Sequence, residues 1–257
     1  LLNPPEFSTT RAELAQKSVD AILDFGEKGF PGILVETIAI FINNLAAPAN
    51  TRVFSLTHRL HLTQPQAYIF DPKLPYWIIY RNQLFDSVCR KLDFDVFEVF
   101  RDRQLTNKLL SSSGELRVLK SRNLSDDGKE ILDIPGYDSY ISYAAAKPLS
   151  VFQYLDAPNV YLTPNMTYKP RMMKKPPHCV VNGSLAILIP KGGIVPTEKQ
   201  LAYFSSEEYR AFYQIARNFQ TRSLNVDACS VFFYGLLRDE AKPAPEKFDT
   251  SVQLSFL

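Results

Sequence analysis

The stretch that decides the predicted fold is VDAILDFGEKGFPGILVETIAIFINN, residues 19–44. Val19 to Phe25 has the short apolar character of a strand, and Gly26 ends it. A Gly-Phe-Pro-Gly turn then leads into Ile33 to Ile42, a β-branched and nearly continuous apolar run that is typical of a strand covered on both faces. With the short helix predicted before them, these strands indicate the closing units of an α/β sheet.

The chain after this stretch has a different character, because short predicted strands alternate with turns and a few helices. We therefore predict an α/β (α+β) fold, in which the end of an α/β sheet is followed by a mixed α+β domain. Residues 1–48 are predicted to form the last strands of an α/β sheet, and residues 49–257 are predicted to form a mixed α+β domain with short twisted strands and loops. Its predicted strands are 51–58, 66–70, 75–80, 96–100, 116–120, a hairpin over 179–189 and 230–234; its predicted helices are 82–92, 197–204 and 206–219, and a loose arm begins at residue 241.

The totals describe a globular protein, since 257 residues with 46% hydrophobic content can bury a core. A net charge of +2, from 29 basic and 27 acidic residues, is too balanced to indicate nucleic-acid binding by itself. No apolar run approaches the roughly 20 residues that a membrane helix needs, so we expect no membrane partner. The three cysteines form no Cys-x-x-Cys pair, which favours a cytoplasmic protein without a structural zinc site or disulfide framework.

Three short segments combine basic and amide side chains. Phosphate binding requires Lys and Arg, while base edges are read by Arg, Gln and Asn, which can make two hydrogen bonds at once. One such segment alone is often only a solvated surface, but three of them between short strands predict a DNA-binding face. The candidate DNA-binding residues are Arg101, Arg103, Gln104, Asn107, Lys108, Arg117, Lys120, Arg122, Asn123, Tyr168, Lys169, Arg171, Lys174 and Lys175.

Within this set, we assign roles by residue type and loop position. Arg103, Gln104, Asn107, Arg122 and Asn123 are predicted to read base edges. Phosphate contacts are assigned to Lys120, Lys169, Arg171, Lys174 and Lys175.

Catalytic residues are not recognisable in the chain. Asn3-Pro4-Pro5 resembles the catalytic loop of DNA amino-methyltransferases, but Glu6 stands where an aromatic residue should stack on the flipped base. No glycine-rich cofactor loop follows, so the tripeptide is interpreted as a turn before a helix. The histidines at 58, 61 and 178 lack a third ligand at useful spacing, and the paired carboxylates at 126–127 and 207–208 fit a turn and a helix start. We predict no catalytic and no metal residues.

Several segments together resemble the C-terminal half of adenine-specific (N6) DNA methyltransferases of restriction-modification systems. The resemblance covers nearly the whole chain, and the later segments are laid out like the target recognition domains of type I specificity subunits. The segments that carry it are GEKGFPGILVETIAIFIN, PYWIIYRNQLFD, VFRDRQLTNK, LRVLKSRN, YLTPNMTYKPRM, VVNGSLAILIPK and SSEEYRAFYQIARN...RSLNVD.

The resemblance implies a function for the parent protein and for this chain. In that family the catalytic domain comes first, and its last strands run into the recognition domain. The resemblance therefore implies that residues 1–48 are the C-terminal strands of a methyltransferase-like α/β domain and that residues 49–257 are the DNA target recognition domain. The chain would thus supply sequence-specific recognition of double-stranded DNA, while methyl transfer and S-adenosylmethionine binding would need an upstream or separate methyltransferase domain. The chain itself would hold no cofactor and would be inactive alone, and a cognate endonuclease is a further expected partner.

Three alternatives stay open from the sequence. The chain could belong to a restriction endonuclease or a fused nuclease-methyltransferase. It could be a specificity subunit that acts with a separate methyltransferase. It could also be a protein-interaction module that binds a partner chain through its apolar strands.

Overall fold

The structure, a computed structural model, describes residues 2–3, 5–45, 47, 49–220 and 225–238. It confirms the α+β class, with several small mixed sheets and few helices. The α-helices are α1 (Ser8–Ala15), α2 (Gln66–Ile69), α3 (Gln83–Cys89), α4 (Tyr143–Ala146), α5 (Glu198–Tyr203) and α6 (Glu207–Ala216). The strands are β1 (Ser18–Gly26), β2 (Thr37–Asn43), β3 (Asn50–Ser55), β4 (Leu60–Pro65), β5 (Leu92–Asp93), β6 (Phe97–Phe100), β7 (Leu116–Leu119), β8 (Ser139–Ile141), β9 (Tyr161–Pro164), β10 (Met173–Lys174), β11 (Cys179–Val181), β12 (Leu185–Pro190) and β13 (Leu236–Leu237).

The chain divides into two compact units. The first contains the described residues up to Lys91 and those from Phe212 to 220, and the second contains 92–211 and 225–238. This division differs from the boundary predicted after residue 48, because β3 pairs in parallel with β1 and extends the same sheet. The predicted methyltransferase-like origin of residues 1–48 stays a prediction.

The first unit is built on a sheet with the order β2-β1-β3-β4. Strand β1 lies where the sequence predicts it, and it ends at Gly26, whose φ of +52° favours glycine. The prediction of a doubly covered strand at Ile33 to Ile42 is wrong. Only β2 forms, at the sheet edge, and the side chain of Phe41 is 53% exposed. Apolar continuity alone does not distinguish an edge strand from a central one.

Two further predicted strands of this unit are also wrong. The segment 66–70 contains helix α2, Gln66–Ile69, whose buried Gln66 side chain accepts from Val19 N–H and donates to the carbonyls of Ala15 and Lys17. Residues 75–80 form an irregular buried segment. There the side chain of Asn218 replaces a neighbouring strand, accepting from Ile79 N–H at 2.9 Å and donating to a backbone carbonyl at 2.8 Å.

The predicted helix over 82–92 is confirmed as α3, with the Asn82 side chain accepting from Phe85 N–H at its start. The predicted helices of residues 197–219 are confirmed as α5 and α6. A capping box of Thr197 and Gln200 starts α5, and the Ser206 hydroxyl accepts from Tyr209 N–H at the start of α6.

The second unit contains sheets with the orders β10-β9-β12-β6, β11-β7-β8 and β13-β5. Its core is formed by side chains from these strands, such as Val118, Leu162, Val180 and Ile187. The strands predicted at 96–100 and 116–120 are present as β6 and β7, but they lie in different sheets. The loops that leave these strands carry most of the predicted site residues.

The predicted hairpin over 179–189 is wrong in its pairing. Strand β11 pairs in parallel with β7, while β12 pairs with β6 and β9. Gly183 between them allows close approach, since a Cβ there would lie 2.6 Å from the carbonyl oxygen of Asp102. The strand predicted at 230–234 is a 3-10 helix, Ser230–Phe233, because Asp227 accepts from the N–H groups of Cys229 and Ser230. The predicted arm from residue 241 lies outside the described residues.

Candidate nucleic-acid interface

Four loop segments of the second unit meet through hydrogen bonds, and we call them the loop cluster: residues 101–104, 120–125, 165–171 and 182–184. Asn165, which is 7% exposed, lies at the centre of the cluster. Its side chain accepts from Arg101 at 3.3 Å and donates to the carbonyl of Gly183 at 3.1 Å. It also donates to Asn225 and accepts from Val226 N–H. One buried amide thus connects three of the four segments.

The remaining segment, 120–125, is attached by two side chains. The Ser184 hydroxyl accepts from Ser121 N–H at 2.9 Å. The guanidinium of Arg171 donates to the carbonyls of Ser121 and Leu124, each at 3.3 Å. Burial lowers the pKa of Arg171, which is only 8% exposed. Arg171 therefore holds two loops together, and the phosphate contact predicted for it is wrong in this conformation.

Asn123 is also structural, which corrects its predicted role as a base reader. It is fully buried, and its side-chain oxygen accepts from Lys120 N–H at 3.0 Å. Its amide nitrogen donates to the carbonyl of Leu132 at 3.0 Å and to the carboxylate of Asp138 at 2.6 Å. With these bonds made, no atom of the amide can reach a base edge.

Arg122, the residue between these loop-fixing groups, is exposed and pre-oriented. Its guanidinium lies over the ring of Tyr137, 4.6 Å from the centroid. The ammonium of Lys120 lies 4.0 Å from the same centroid and donates to Tyr137 O and the Ser139 hydroxyl. Burial lowers the pKa of Lys120. Tyr137 thus fixes Lys120 within the protein and presents the fork of Arg122 to solvent.

The segment 101–104 presents Arg103 and Gln104. The carboxylate of Asp102 turns this segment by accepting from the N–H groups of Gln104 at 3.3 Å and Leu105 at 2.8 Å. Arg103 is exposed and has no ion pair or hydrogen bond within the part of the chain that the structure describes. Gln104 is exposed too, and its side-chain oxygen accepts from Ser150 N–H at 2.6 Å. This bond fixes the orientation of the amide and therefore of its NH₂ group.

The segment 165–171 contributes the most exposed apolar side chains of the cluster. Met166 is 55% exposed and Tyr168 is 50% exposed. Beside them, the ammonium of Lys169 lies 3.5 Å from the carboxylate of Asp126. Both of these side chains are largely solvated, so this pair is weak and Lys169 can exchange it for a phosphate.

The other predicted residues divide into engaged and exposed side chains. Arg101 is half-buried against Asn165, and burial lowers its pKa. Arg117 is bound by Asp133 and Asp138, whose charges outweigh burial and raise its pKa. Lys175 is 4% exposed and donates to two backbone carbonyls, so its predicted phosphate contact is wrong in this conformation. Three exposed residues lie outside the loop cluster, namely Asn107, Lys108 and Lys174.

Sequence reasoning missed Asn165 and Tyr137, which determine how the site is built. Asn165 follows β9 directly, in a position where an asparagine commonly forms local turns. Only its contacts across the fold show that it joins loops that are distant in sequence. Tyr137 lies in a turn-rich stretch after Pro135 and Gly136, and no spacing rule connects it to Arg122.

The described residues contain no cluster of three or more His, Cys, Asp or Glu side chains that could hold a metal ion. In the same residues, no helix is long and apolar enough to cross a membrane. A cavity of about 480 Å³ lies in the first unit, lined by residues that include Arg11, Phe70 and Trp77. None of the predicted DNA-binding residues lines it.

Comparison with known proteins gives no assignment. No model of a known protein family matches the chain, and no curated protein matches it significantly.

Proposed function

We propose that this chain recognises a specific sequence in duplex DNA. The observation that carries the proposal is the loop cluster, in which buried side chains fix four loops so that they present cations and an amide to solvent. We call its exposed cations the cationic rim: Arg103, Arg122 and Lys169. Duplex DNA is the ligand that such a surface fits, because it offers phosphates for the lysine and base edges for guanidinium and amide groups.

Within the rim, the roles differ by geometry. Arg122 is held by Tyr137, so its planar fork is ready for the paired acceptors O6 and N7 of a guanine. Gln104 has its oxygen engaged and offers its NH₂ group as a donor. Lys169 is a flexible point charge suited to a phosphate. Arg103 is extended into solvent and can serve either kind of contact.

We further propose that the parent protein is an adenine-N6 DNA methyltransferase of a restriction-modification system, acting in the cytoplasm, and that this chain includes its target recognition domain. Methyl transfer and S-adenosylmethionine binding belong to an upstream domain in this proposal. The sequence resemblance supports it. The free edge of β2 supports it too, because a strand of an upstream domain can pair with that edge. Strand β2 pairs with β1 on one side, and on the other it has no strand partner among the described residues. Its sequence, TIAIFIN, contains no charge and no proline that would oppose pairing with another strand.

The test is a salt titration of the full chain binding a fluorescent random-sequence duplex, followed by anisotropy. Five predicted cations are exposed, namely Arg103, Lys108, Arg122, Lys169 and Lys174. Arg122 is assigned to a base edge, so if three or four of these cations meet phosphates, the log-log slope should be about −2.7 to −3.6. The control is Lys147→Ala, which removes an exposed lysine outside the cluster and should leave the slope unchanged. A slope near zero for the wild type would contradict DNA binding.

A protein-interaction role is the second candidate, and the exposed apolar segment beside β2 favours it. Ile33, Leu34 and Val35 are 53%, 62% and 50% exposed. Large exposed apolar patches commonly mark protein contacts. If the chain binds a partner through this segment, Leu34→Glu should abolish the association. The same variant should leave any affinity for duplex DNA unchanged. Tight association with a partner by a chain that binds no DNA would select this role over the first.

A further inference from the structure

The tip of the segment 165–171 has an unusual combination of side chains. Met166 and Tyr168 each expose about half of their surface, although large apolar side chains in this unit are mostly buried. They alternate with Thr167 and are followed by the exposed Lys169. Exposing two such side chains has a cost in water, so a ligand that covers them would gain from their burial.

The backbone beneath this tip is held on both sides. Asn165 fixes its beginning through the buried hydrogen bonds described above, and Arg171 fixes its end by donating to Lys169 O at 3.1 Å and to the neighbouring loop. Within the tip, the Thr167 hydroxyl accepts from Lys169 N–H and donates to Lys169 O, both at 2.9 Å. The two side chains are therefore presented from a braced loop, so the backbone of the tip is ordered before any ligand arrives.

The charges around the tip indicate the ligand. Lys169 comes directly after Tyr168, and its contact with Asp126 places the tip beside the segment that carries Arg122. Cations on the border of exposed aromatic and thioether groups fit duplex DNA, because phosphates flank every base step. Proteins that kink DNA insert apolar side chains, methionine among them, between base pairs while cations hold the adjacent phosphates.

We propose that Met166 and Tyr168 form a wedge that enters the stack of a DNA duplex at one base step. This inference rests on the proposed function, because it requires duplex binding by the same loop cluster. The thioether of Met166 fills the opened step, and the ring of Tyr168 stacks on an unstacked base. Lys169 and Arg122 hold the backbone beside the opened step. The wedge thereby favours base steps that open or bend easily. The sequence preference at this step then comes from the deformability of the duplex and not from hydrogen bonds to base edges.

The experiment uses the full chain and short duplexes that it selects from a randomised pool. A 2-aminopurine probe, whose fluorescence rises on unstacking, replaces each purine of the selected site in turn. We expect the wild-type chain to raise the fluorescence at the bases that flank one step. The double variant Met166→Ala/Tyr168→Ala should lose this rise and bind about ten-fold more weakly, the factor expected for one lost stacking contact. Val195→Ala, which truncates a side chain that is 68% exposed outside the cluster, should keep the rise.

The outcomes separate the two proposals. If the pool yields no bound duplex, both the proposed function and the wedge are overturned. If a duplex is bound but no position gains fluorescence, or the double variant keeps the gain, the wedge alone is overturned. Both substituted side chains are exposed, and an unchanged urea midpoint for the double variant will show that a lost rise does not come from unfolding.

Discussion

Arginine serves opposite purposes in the buried and the exposed parts of the loop cluster, since Arg171 binds protein carbonyls and Arg122 projects into solvent. We refer to Asn123, Asn165 and Arg171 as the floor of the cluster, since each is at most 8% exposed and bonded to protein groups. The cationic rim projects arginine and lysine from the same loops into solvent. Arg122 and Asn123 are neighbours in sequence, yet the first is exposed to solvent and the second holds the loop. The proposed binding by the rim would therefore depend on a floor that makes no contact with the ligand itself.

The largest expected effect follows from removing the centre of the floor. Asn165→Ala deletes two donated and two accepted hydrogen bonds at a buried position. Leaving such groups unsatisfied should lower the free energy of unfolding by about 3 kcal/mol, measured by urea denaturation. Arg103→Ala is the matched rim control and should change it by less than about 0.5 kcal/mol. Equal stability of the two variants would show that the distinction between floor and rim is wrong.

The next largest effect should appear in binding, at Arg122. Arg122→Ala should weaken binding to a selected duplex by roughly 10- to 100-fold and relax the preference at one base pair. Tyr137→Phe keeps the ring beneath the guanidinium and should bind like the wild type, whereas Tyr137→Leu should lose part of the affinity. Should Arg122→Ala weaken all sequences equally, Arg122 would be a phosphate contact and not a base reader.

A smaller effect concerns the pH dependence of stability at Asp138, which accepts a hydrogen bond from Asn123 of the floor. Burial acts to raise the pKa of Asp138, but hydrogen bonds from Ile134 N–H and Asn123 and the charge of Arg117 outweigh it and lower this pKa. The stability that this carboxylate contributes is therefore complete above its unfolded pKa of about 3.9 and is lost as the pH falls through the lower folded value.

The wild type should therefore lose stability below about pH 4, in part because Asp138 is protonated. Asp138→Asn should remove part of this loss, measured as urea midpoints from pH 6 to pH 2. Asp133→Asn is the control, because Asp133 binds the same arginine but its side chain is 84% exposed. If the two variants reduce the loss of stability at low pH equally, the hydrogen bonds and partial burial of Asp138 are not what matters.

The smallest effect is expected for Lys169→Ala. Its ion pair with Asp126 is solvated, so the free energy of unfolding should stay within about 0.5 kcal/mol of the wild-type value. Binding should weaken only a few-fold for all duplex sequences, with a salt slope about 0.9 less steep. A change in base preference would contradict the phosphate role of Lys169.

The parts of the fold that follow local rules could be predicted from the sequence. Strand β1 ends at a glycine with positive φ, and α5 begins at a capping box, so short-range patterns were sufficient. The segment 75–80 could not be predicted, because its backbone is satisfied by the side chain of Asn218, far along the chain. Strand propensity was overridden there by a tertiary hydrogen bond.

The sequence was sufficient to predict which loops form the candidate site. It was not sufficient to predict which side chains of these loops are exposed. Residue type predicted that the loops carrying Arg122 and Lys169 face outward. It could not predict that Arg171 and Lys175 are buried, because burial depends on carbonyls brought close by other segments. Burial of cations in this way is uncommon, which is why their charges misled the sequence interpretation.

The most direct test of the central claim compares the salt dependence of duplex binding for the wild type and for the triple variant Arg103→Ala/Arg122→Ala/Lys169→Ala. The log-log slope of the triple variant should be less steep by up to about 1.8, because Arg103 and Lys169 can each meet a phosphate, while the urea midpoint should be unchanged. A triple variant that keeps the wild-type slope and affinity would contradict the claim that the cationic rim of this braced loop cluster is the DNA-binding surface.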